Sequence, residues 1–258
     1  MATFVDLNSD MGESFGVYKL GHDADMLAIV SSANVACGFH AGDPLIMSET
    51  VAQARQNRVD VGAHPSFYDL WGFGRRVIQG ESPQDVEKAV VYQIGALQAI
   101  ATHAGHRVTH VKIHGSLNNL AAADADLARA IAHGIKAVDR DLIFVAISGT
   151  ELERAGEAAG LRVAREVYAD RTYQDNGLLT PRKHPGAVLH EADGAARRVL
   201  QMVEEQAIRS VNGVKLPVKI DTICVHGDNP AAVDMARAVR DTLERAGVTI
   251  RPMSQSIN

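Results

Sequence analysis

Seven times along this chain a short run of β-forming residues gives way to other chain, mostly longer segments with helical apolar spacing, and this alternation constrains the fold more than any other feature. The strand-type runs lie at residues 3–8, 31–36, 59–63, 108–114, 142–147, 162–168 and 220–226. Helical spacing occupies residues 44–57, 83–103, 124–138, 149–159, 191–211 and 230–246. Asp43-Pro44, Ser82-Pro83 and Asn229-Pro230 each set a capping residue before a proline, the signal of a helix start. Gly105, Gly160 and Gly247 follow helix ends, where a left-handed stop is expected. Strands joined through helices must run parallel, because the helix carries the chain back to the starting edge of the sheet. Seven such units predict a TIM-like parallel β/α barrel, closed or slightly open, with a doubly wound open sheet as the alternative. With 258 residues and no linker or low-complexity tract, the chain reads as a single barrel domain spanning 1–258.

Polar residues gather where these strands end. The first runs into Asp6, Asn8, Asp10 and Glu13, and the second into Asn34, His40 and Asp43. The third ends at His64, the fourth at Lys112 and His114, the sixth at Asp170 and Arg171, and the seventh at His226 and Asp228. In parallel α/β folds the loops after the strands converge on one face, which is where sites form. Strand parity gives a second line of argument, since side chains two apart share a face. Val5, Leu7, Val61, Ala63, Val111, Ile113, Ile223 and Val225 then face the helices. Asp6, Asn8, His64, Lys112, His114, Cys224 and His226 face the axis. Ordinary barrels fill that axis with branched apolar residues, so a polar set there predicts a hydrated cavity. Lys112 needs counter-charges inside it, and parity supplies Asp6 and Glu166. Any one of these residues alone would more readily be a hydrogen-bonded structural group; agreement across six strand ends argues for a site.

Composition and missing motifs narrow the chemistry. A net charge of -5 with only isolated basic pairs offers no nucleic-acid footprint. No apolar run approaches membrane-spanning length, and the start of the sequence carries no signal-peptide pattern, so a cytoplasmic protein is expected. The two cysteines, Cys37 and Cys224, have no metal-type spacing and read as buried free thiols. There is no P-loop, no nucleophile elbow and no zincin helix. Gly72-Phe73-Gly74-Arg75-Arg76 is too short for a dinucleotide fingerprint and reads as a tight surface turn.

The strand-end segments together resemble the LamB/YcsF family, the A component of prokaryotic 5-oxoprolinase. The matching stretches are DLNSDMGE (6–13), SANVACGFHAGDP (32–44), GAHPSFYDLWGFGRR (62–76), VKIHGSLNN (111–119), YADRTYQDNGLLTPR (168–182) and ICVHGDNP (223–230), in the family's order. The sequence departs from the family pattern at Tyr68, Ile113, Asn118 and Asn176, and Asn118 borders the expected site, where it bears on substrate preference. The resemblance implies a seven-stranded barrel related to polysaccharide deacetylases and glycoside hydrolases, and an ATP-dependent opening of 5-oxoproline completed by the B and C subunits. It further implies that phosphate passes from ATP, with Mg2+, to the amide oxygen before water adds. For that chemistry Asp6 or Asp10 is the candidate general base, with Glu13 as a second carboxylate, and His64 and His114 are the candidate acid–base imidazoles. Lys112 and Arg171 are the candidate anion contacts. Asn8, Asn34, His40, Asp43, His226 and Asp228 are further candidates for holding substrate or ordering loops. Two other readings compete: a metal-dependent amide hydrolase in which Asp10, His64 and another histidine hold a divalent ion, and a non-catalytic lactam-binding component of a larger complex.

Overall fold

In the computed structural model, which describes residues 4–228 and 230–257, all seven expected strands form and close on themselves. They are β1 (Phe4–Met11), β2 (Ser32–Ala36), β3 (Asp60–His64), β4 (Val108–Lys112), β5 (Ile143–Ile147), β6 (Arg162–Tyr168) and β9 (Thr222–Cys224). Each pairs in parallel with the next, and β9 lies between β6 and β1, aligning Asp6 with Thr222 and Asn8 with Cys224. The barrel is therefore closed. A two-residue strand, β10 (Thr249–Ile250), adds to the start of β1.

The helices are α1 (Asp23–Leu27), α2 (Pro44–Asn57), α3 (Pro83–His103), α4 (Gly115–Ala121), α5 (Ala125–Val138), α6 (Glu151–Ala159), α7 (Ala192–Glu205), α8 (Pro230–Arg245) and α9 (Met253–Ser256). Two of the expected caps are visible: Asp43 accepts from the Leu45 and Ile46 amides, and Ser82 accepts from the Asp85 amide. Asn229, the third, lies outside the described residues. The expected helix over 191–211 stops at Glu205, where Gln206 turns left-handed (φ 44°). Ile208, Val211 and the Asn212-Gly213 turn favour a hairpin instead, and β7 (Ala207–Arg209) pairs antiparallel with β8 (Lys215–Pro217).

Parity sorts the side chains as expected. Val5, Leu7, Val61, Val111 and Ile223 are fully buried in the apolar layer between strands and helices. Strand β5 is apolar on both faces: Ile143 and Val145 belong to a second cluster with Ala164 and Met253. Helix α9 thus inserts Met253 into the barrel floor, held by the Ser254 amide on the Asp60 carboxylate (3.2 Å). Apolar packing closes one end of the barrel, which leaves the other end to the polar set.

Candidate active site

The polar axis is built from the bottom upward. Asp6 sits lowest, fully buried, accepting from the hydroxyls of Ser31 (2.7 Å), Ser32 (2.6 Å) and Thr222. Burial pushes its carboxyl up to about 6 in spite of those donors. Asp6 does not reach the cavity above and does not pair with Lys112, contrary to the expectation from parity. Its carboxylate is taken up by Ser31, Ser32 and Thr222 instead, while Lys112 Nζ reaches Asn8 and Cys224, each two residues further along its strand than Asp6 and Thr222.

Above it lies an amide and ammonium layer. The Asn8 amide donates to Glu166 (3.0 Å) and Thr222 (2.7 Å), while its oxygen accepts from Asn34 (2.8 Å) and from Lys112 Nζ (3.0 Å). Lys112 Nζ also lies 2.9 Å from Glu166, 3.0 Å from Asp10 and 3.0 Å from Cys224 Sγ. Burial works against this charge, but Asp10, Cys224 and Glu166 hold the lysine well above its ordinary range. His110, which the sequence reading passed over, bonds Asn34 (3.0 Å) from the same layer. Its ring lies where a side chain on Gly62 would be, since a Cβ at Gly62 would come within 2.1 Å of it. Glycine in that strand is a condition for the network to form.

The cavity opens over this layer at the C-terminal ends of the strands. Its volume is about 490 Å³, toward the small end of ligand pockets. Asp10, Glu13, His64, Lys112 and His114 line its floor. The Asp10 carboxylate takes Asn34 (2.9 Å) and Lys112 on one oxygen and faces His64 Nε2 with the other at 3.3 Å. Burial opposes its charge, yet the neighbouring His64 and Lys112 outweigh it and hold Asp10 well below the usual carboxylate range. Glu13, by contrast, is raised by burial. His64 Nε2 meets His114 Nδ1 at 3.0 Å, and the His40 ring stacks on His114 with centroids 3.7 Å apart. His40 Nε2 lies 3.1 Å from Glu13, and burial holds both His40 and His114 well below the ordinary histidine value. The donor atoms of Glu13, His40, His64 and His114 lie within 4.8 Å of one another, as do those of Asp10, Cys224 and His226. Both groups bring together atoms of the kinds that metal ions take, but Lys112 Nζ lies against the second.

The opposite wall is cationic. Arg75, Arg171, Arg182 and Lys183 line it, and among the described residues Arg75, Arg182 and Lys183 have no carboxylate partner. Arg171 is anchored by the carbonyls of Ala187 (3.2 Å) and Thr180 (2.6 Å). Desolvation, and then the nearness of Arg182, lower both Arg75 and Arg171. Arg75 belongs to the glycine-rich segment expected to be a surface turn. That segment instead folds over the floor: the Phe73 carbonyl meets His114 Nε2 (2.9 Å), and a Cβ at Gly74 (φ +62°) would collide with Ser66, His114 and His40. His226 and Asp228 also line the cavity, and His226 pairs with Asp170 at 2.8 Å. Burial is outweighed there by Asp170, so the imidazole is held well above its ordinary value. Asn118 completes the rim with a bond to the Tyr168 hydroxyl (3.3 Å).

Several sequence candidates stand back from the cavity. Asn8, Asn34 and His40 support it from behind, and Asp43 caps α2 while accepting from the Gly16 amide (2.7 Å), which ties down the loop after β1. Both cysteines are free and buried, and burial pushes the Cys37 thiol up to about 12, which leaves it without nucleophilic character. Arg75, Arg182, Lys183, Tyr168 and His110 are the residues the sequence reading missed as site components. All but His110 and Lys183 lie in the quoted segments, but nothing in a linear string says which loop arginines turn inward.

Comparison with known proteins agrees with this architecture. The model of the LamB/YcsF family matches residues 5–258. The chain is similar to a Rhodopseudomonas palustris protein named as the A component of 5-oxoprolinase, with 54% identity over 251 residues, covering 97% of this chain and 99% of that one. It is similar to the crystal structure of a lactam utilization protein from Thermus thermophilus, with a TM-score of 0.90, 46% identity, and 96% and 99% of the two chains covered. The catalytic domain of a peptidoglycan deacetylase from Eubacterium rectale shares the barrel alone (TM-score 0.52, 11% identity, 98% and 89% covered). With a matched model across nearly its whole length and a relative at more than half identity, the chain belongs to the LamB/YcsF family.

Proposed function

We propose that this chain opens the ring of 5-oxo-L-proline as the A component of an ATP-dependent 5-oxoprolinase, with L-glutamate, ADP and phosphate as products. A five-membered lactam is a stable amide, and glutamate recyclises readily, so hydrolysis needs an activated carbonyl and an external driving force. Transfer of the γ-phosphoryl group to the amide oxygen supplies both: an O–P bond forms, the phosphoanhydride breaks and ADP leaves. Water then adds to the ring carbon while a base takes its proton. The C–N bond breaks as the nitrogen is protonated, and the resulting acyl phosphate loses phosphate to a second water.

The observation that carries this reading is Asp10, a carboxylate beside His64 at the floor of a small cavity whose lining also holds cations that, among the described residues, have no carboxylate partner. Asp10 is the base for water, and Lys112 and Asn34 orient it. Asp10 hands the proton it takes from water to the leaving nitrogen, beside the imidazoles of His64 and His114. Arg75, Arg171 and Arg182 take the substrate carboxylate and the phosphoryl group. Asp6 acts at one remove, fixing the strands that carry the network. The name borne by the relatives speaks for further subunits; that these are the B and C subunits, with ATP and Mg2+ in a cytoplasmic setting, belongs to the proposal. No helix among the described residues is long and apolar enough to cross a membrane.

The test is glutamate release from 5-oxoproline and ATP, measured with this chain alone and with its partner subunits. The complex should release glutamate and the isolated chain little or none. A complex of wild-type components that cleaves ATP without forming glutamate would refute the reading. The three imidazoles at the floor favour one competitor, an amide hydrolase that works without ATP; release of product in the absence of ATP would put it first.

A further inference from the structure

Which ring nitrogens carry protons at the cavity floor follows from their partners. His64 Nδ1 lies 2.7 Å from the Lys112 carbonyl, and a carbonyl only accepts, so that nitrogen must carry the hydrogen. His114 Nε2 lies 2.9 Å from the Phe73 carbonyl and carries its hydrogen for the same reason. In the neutral rings the remaining nitrogens, His64 Nε2 and His114 Nδ1, are then bare lone pairs. They face each other at 3.0 Å. Asp10 faces His64 Nε2 at 3.3 Å and Glu13 faces His114 Nδ1 at 3.7 Å, both with carboxylate oxygens. The two bare nitrogens face each other with no hydrogen between them, and a carboxylate oxygen stands beside each at the floor of the cavity.

Such a convergence is unfavourable unless something positive sits inside it. One proton on one imidazole would satisfy a single contact. A divalent ion satisfies both nitrogens and Glu13 at once. Each ring is also fixed from behind by a backbone carbonyl, the support that metal-binding histidines usually have. Glu13 is held in turn by His40, whose Nε2 lies 3.1 Å away and whose buried Nδ1 has no partner among the described residues. The other group, Asp10 with Cys224 and His226, is unsuited to a cation, because Lys112 Nζ already lies 3.0 Å from both Asp10 and Cys224.

We infer that His64 and His114, with the carboxylate of Glu13, form a binding site for one divalent transition-metal ion at the cavity floor. A mixed imidazole and carboxylate set suits zinc, manganese, iron or cobalt more than calcium or magnesium, which prefer oxygen alone. The ion's catalytic role rests on the function proposed above: held by these residues, it would supply a Lewis acid that lowers the pKa of a bound water. Its presence does not rest on that function.

The experiment is direct metal binding. Wild-type protein, stripped with chelator and dialysed, is titrated with Zn2+ and with Co2+. One equivalent should bind per chain, Co2+ should develop visible absorption bands, and the Tm should rise with metal concentration. His64→Ala and His114→Ala should each lose the equivalent, and His40→Phe, which frees Glu13, should weaken binding by about 10–100-fold. His133→Gln, at an exposed histidine, should bind as wild type. Should the alanine variants fail to fold, Glu13→Gln and the wild-type Co2+ spectrum still decide the matter. No binding by wild type, or binding unchanged in the variants, overturns the site. If the metal binds but the full complex makes no glutamate, the proposed function fails and the site stands; glutamate formed by a complex that binds no metal leaves the function standing and removes the site.

Discussion

Replacing Lys112 with methionine would strand two carboxylates around one vacated position. The ammonium lies 2.9 Å from Glu166 and 3.0 Å from Asp10, and only 2% of the side chain is exposed, so water cannot take over its role. Methionine fills a similar volume, which makes the loss electrostatic and not a matter of a cavity. Removing one partner of a buried ion pair costs about 3–5 kcal/mol, because the other charge is left uncompensated. In a domain of this size that corresponds to a fall in Tm of about 6–20 °C. A second substitution locates the cause. Glu166→Gln keeps the oxygen that accepts from Asn8 but removes one stranded charge. Lys112→Met/Glu166→Gln should therefore be more stable than Lys112→Met alone, by about half the loss, although it carries one more change. Calorimetry or urea unfolding of the four proteins at neutral pH completes the cycle. A Lys112→Met protein that melts with wild type, or a double variant less stable than the single one, would refute the claim that the charges depend on each other.

Three other outcomes follow from the same layers. Asp10→Asn retains an oxygen for Lys112 and Asn34 and offers an N–H to His64, so the fold should survive while glutamate release by the complex drops roughly a hundredfold or more; wild-type turnover would remove Asp10 as the base. Asp6, raised by burial to about 6, binds its proton more tightly folded than unfolded, so its contribution to stability is fully present below its ordinary value of 3.8 and falls by about 3 kcal/mol as pH rises through 6. Asp6→Asn should flatten that segment of the stability profile, and a variant whose slope across the segment equals that of wild type would show that Asp6 is not its source. Gly62→Ala should destabilise by about 1–3 kcal/mol and reduce activity together, because the added methyl displaces His110 from Asn34; a variant with wild-type melting and turnover would show that the strand yields more freely than its packing implies.

The amino-acid sequence by itself determined a parallel β/α fold, with a barrel as the first expectation and an open doubly wound sheet as the alternative that closure of β9 on β1 removes. Alternating strand and helix segments, capped at Asp43 and Ser82, leave few ways to bury the apolar faces of Leu7, Val61, Val111 and Ile223, and period-two spacing then forces Asn8, His64, Lys112 and His114 inward. Those are local rules, acting over a few residues, and a linear string carries them. Height along the axis is a different quantity. It depends on register between strands and on closure of β9 against β1, and so only the tertiary structure decided that Lys112 meets Asp10 instead of Asp6. Loop direction is likewise non-local: Phe73 and Gly74 fold over the imidazoles because His114 and Ser116 bond their carbonyls, contacts made across about forty residues. The same is true of the apolar plug at Met253, which rests on β5 and β6 from the far end of the chain. Periodicity fixes which side of a strand a residue faces, while packing between distant segments fixes which partner it finds there.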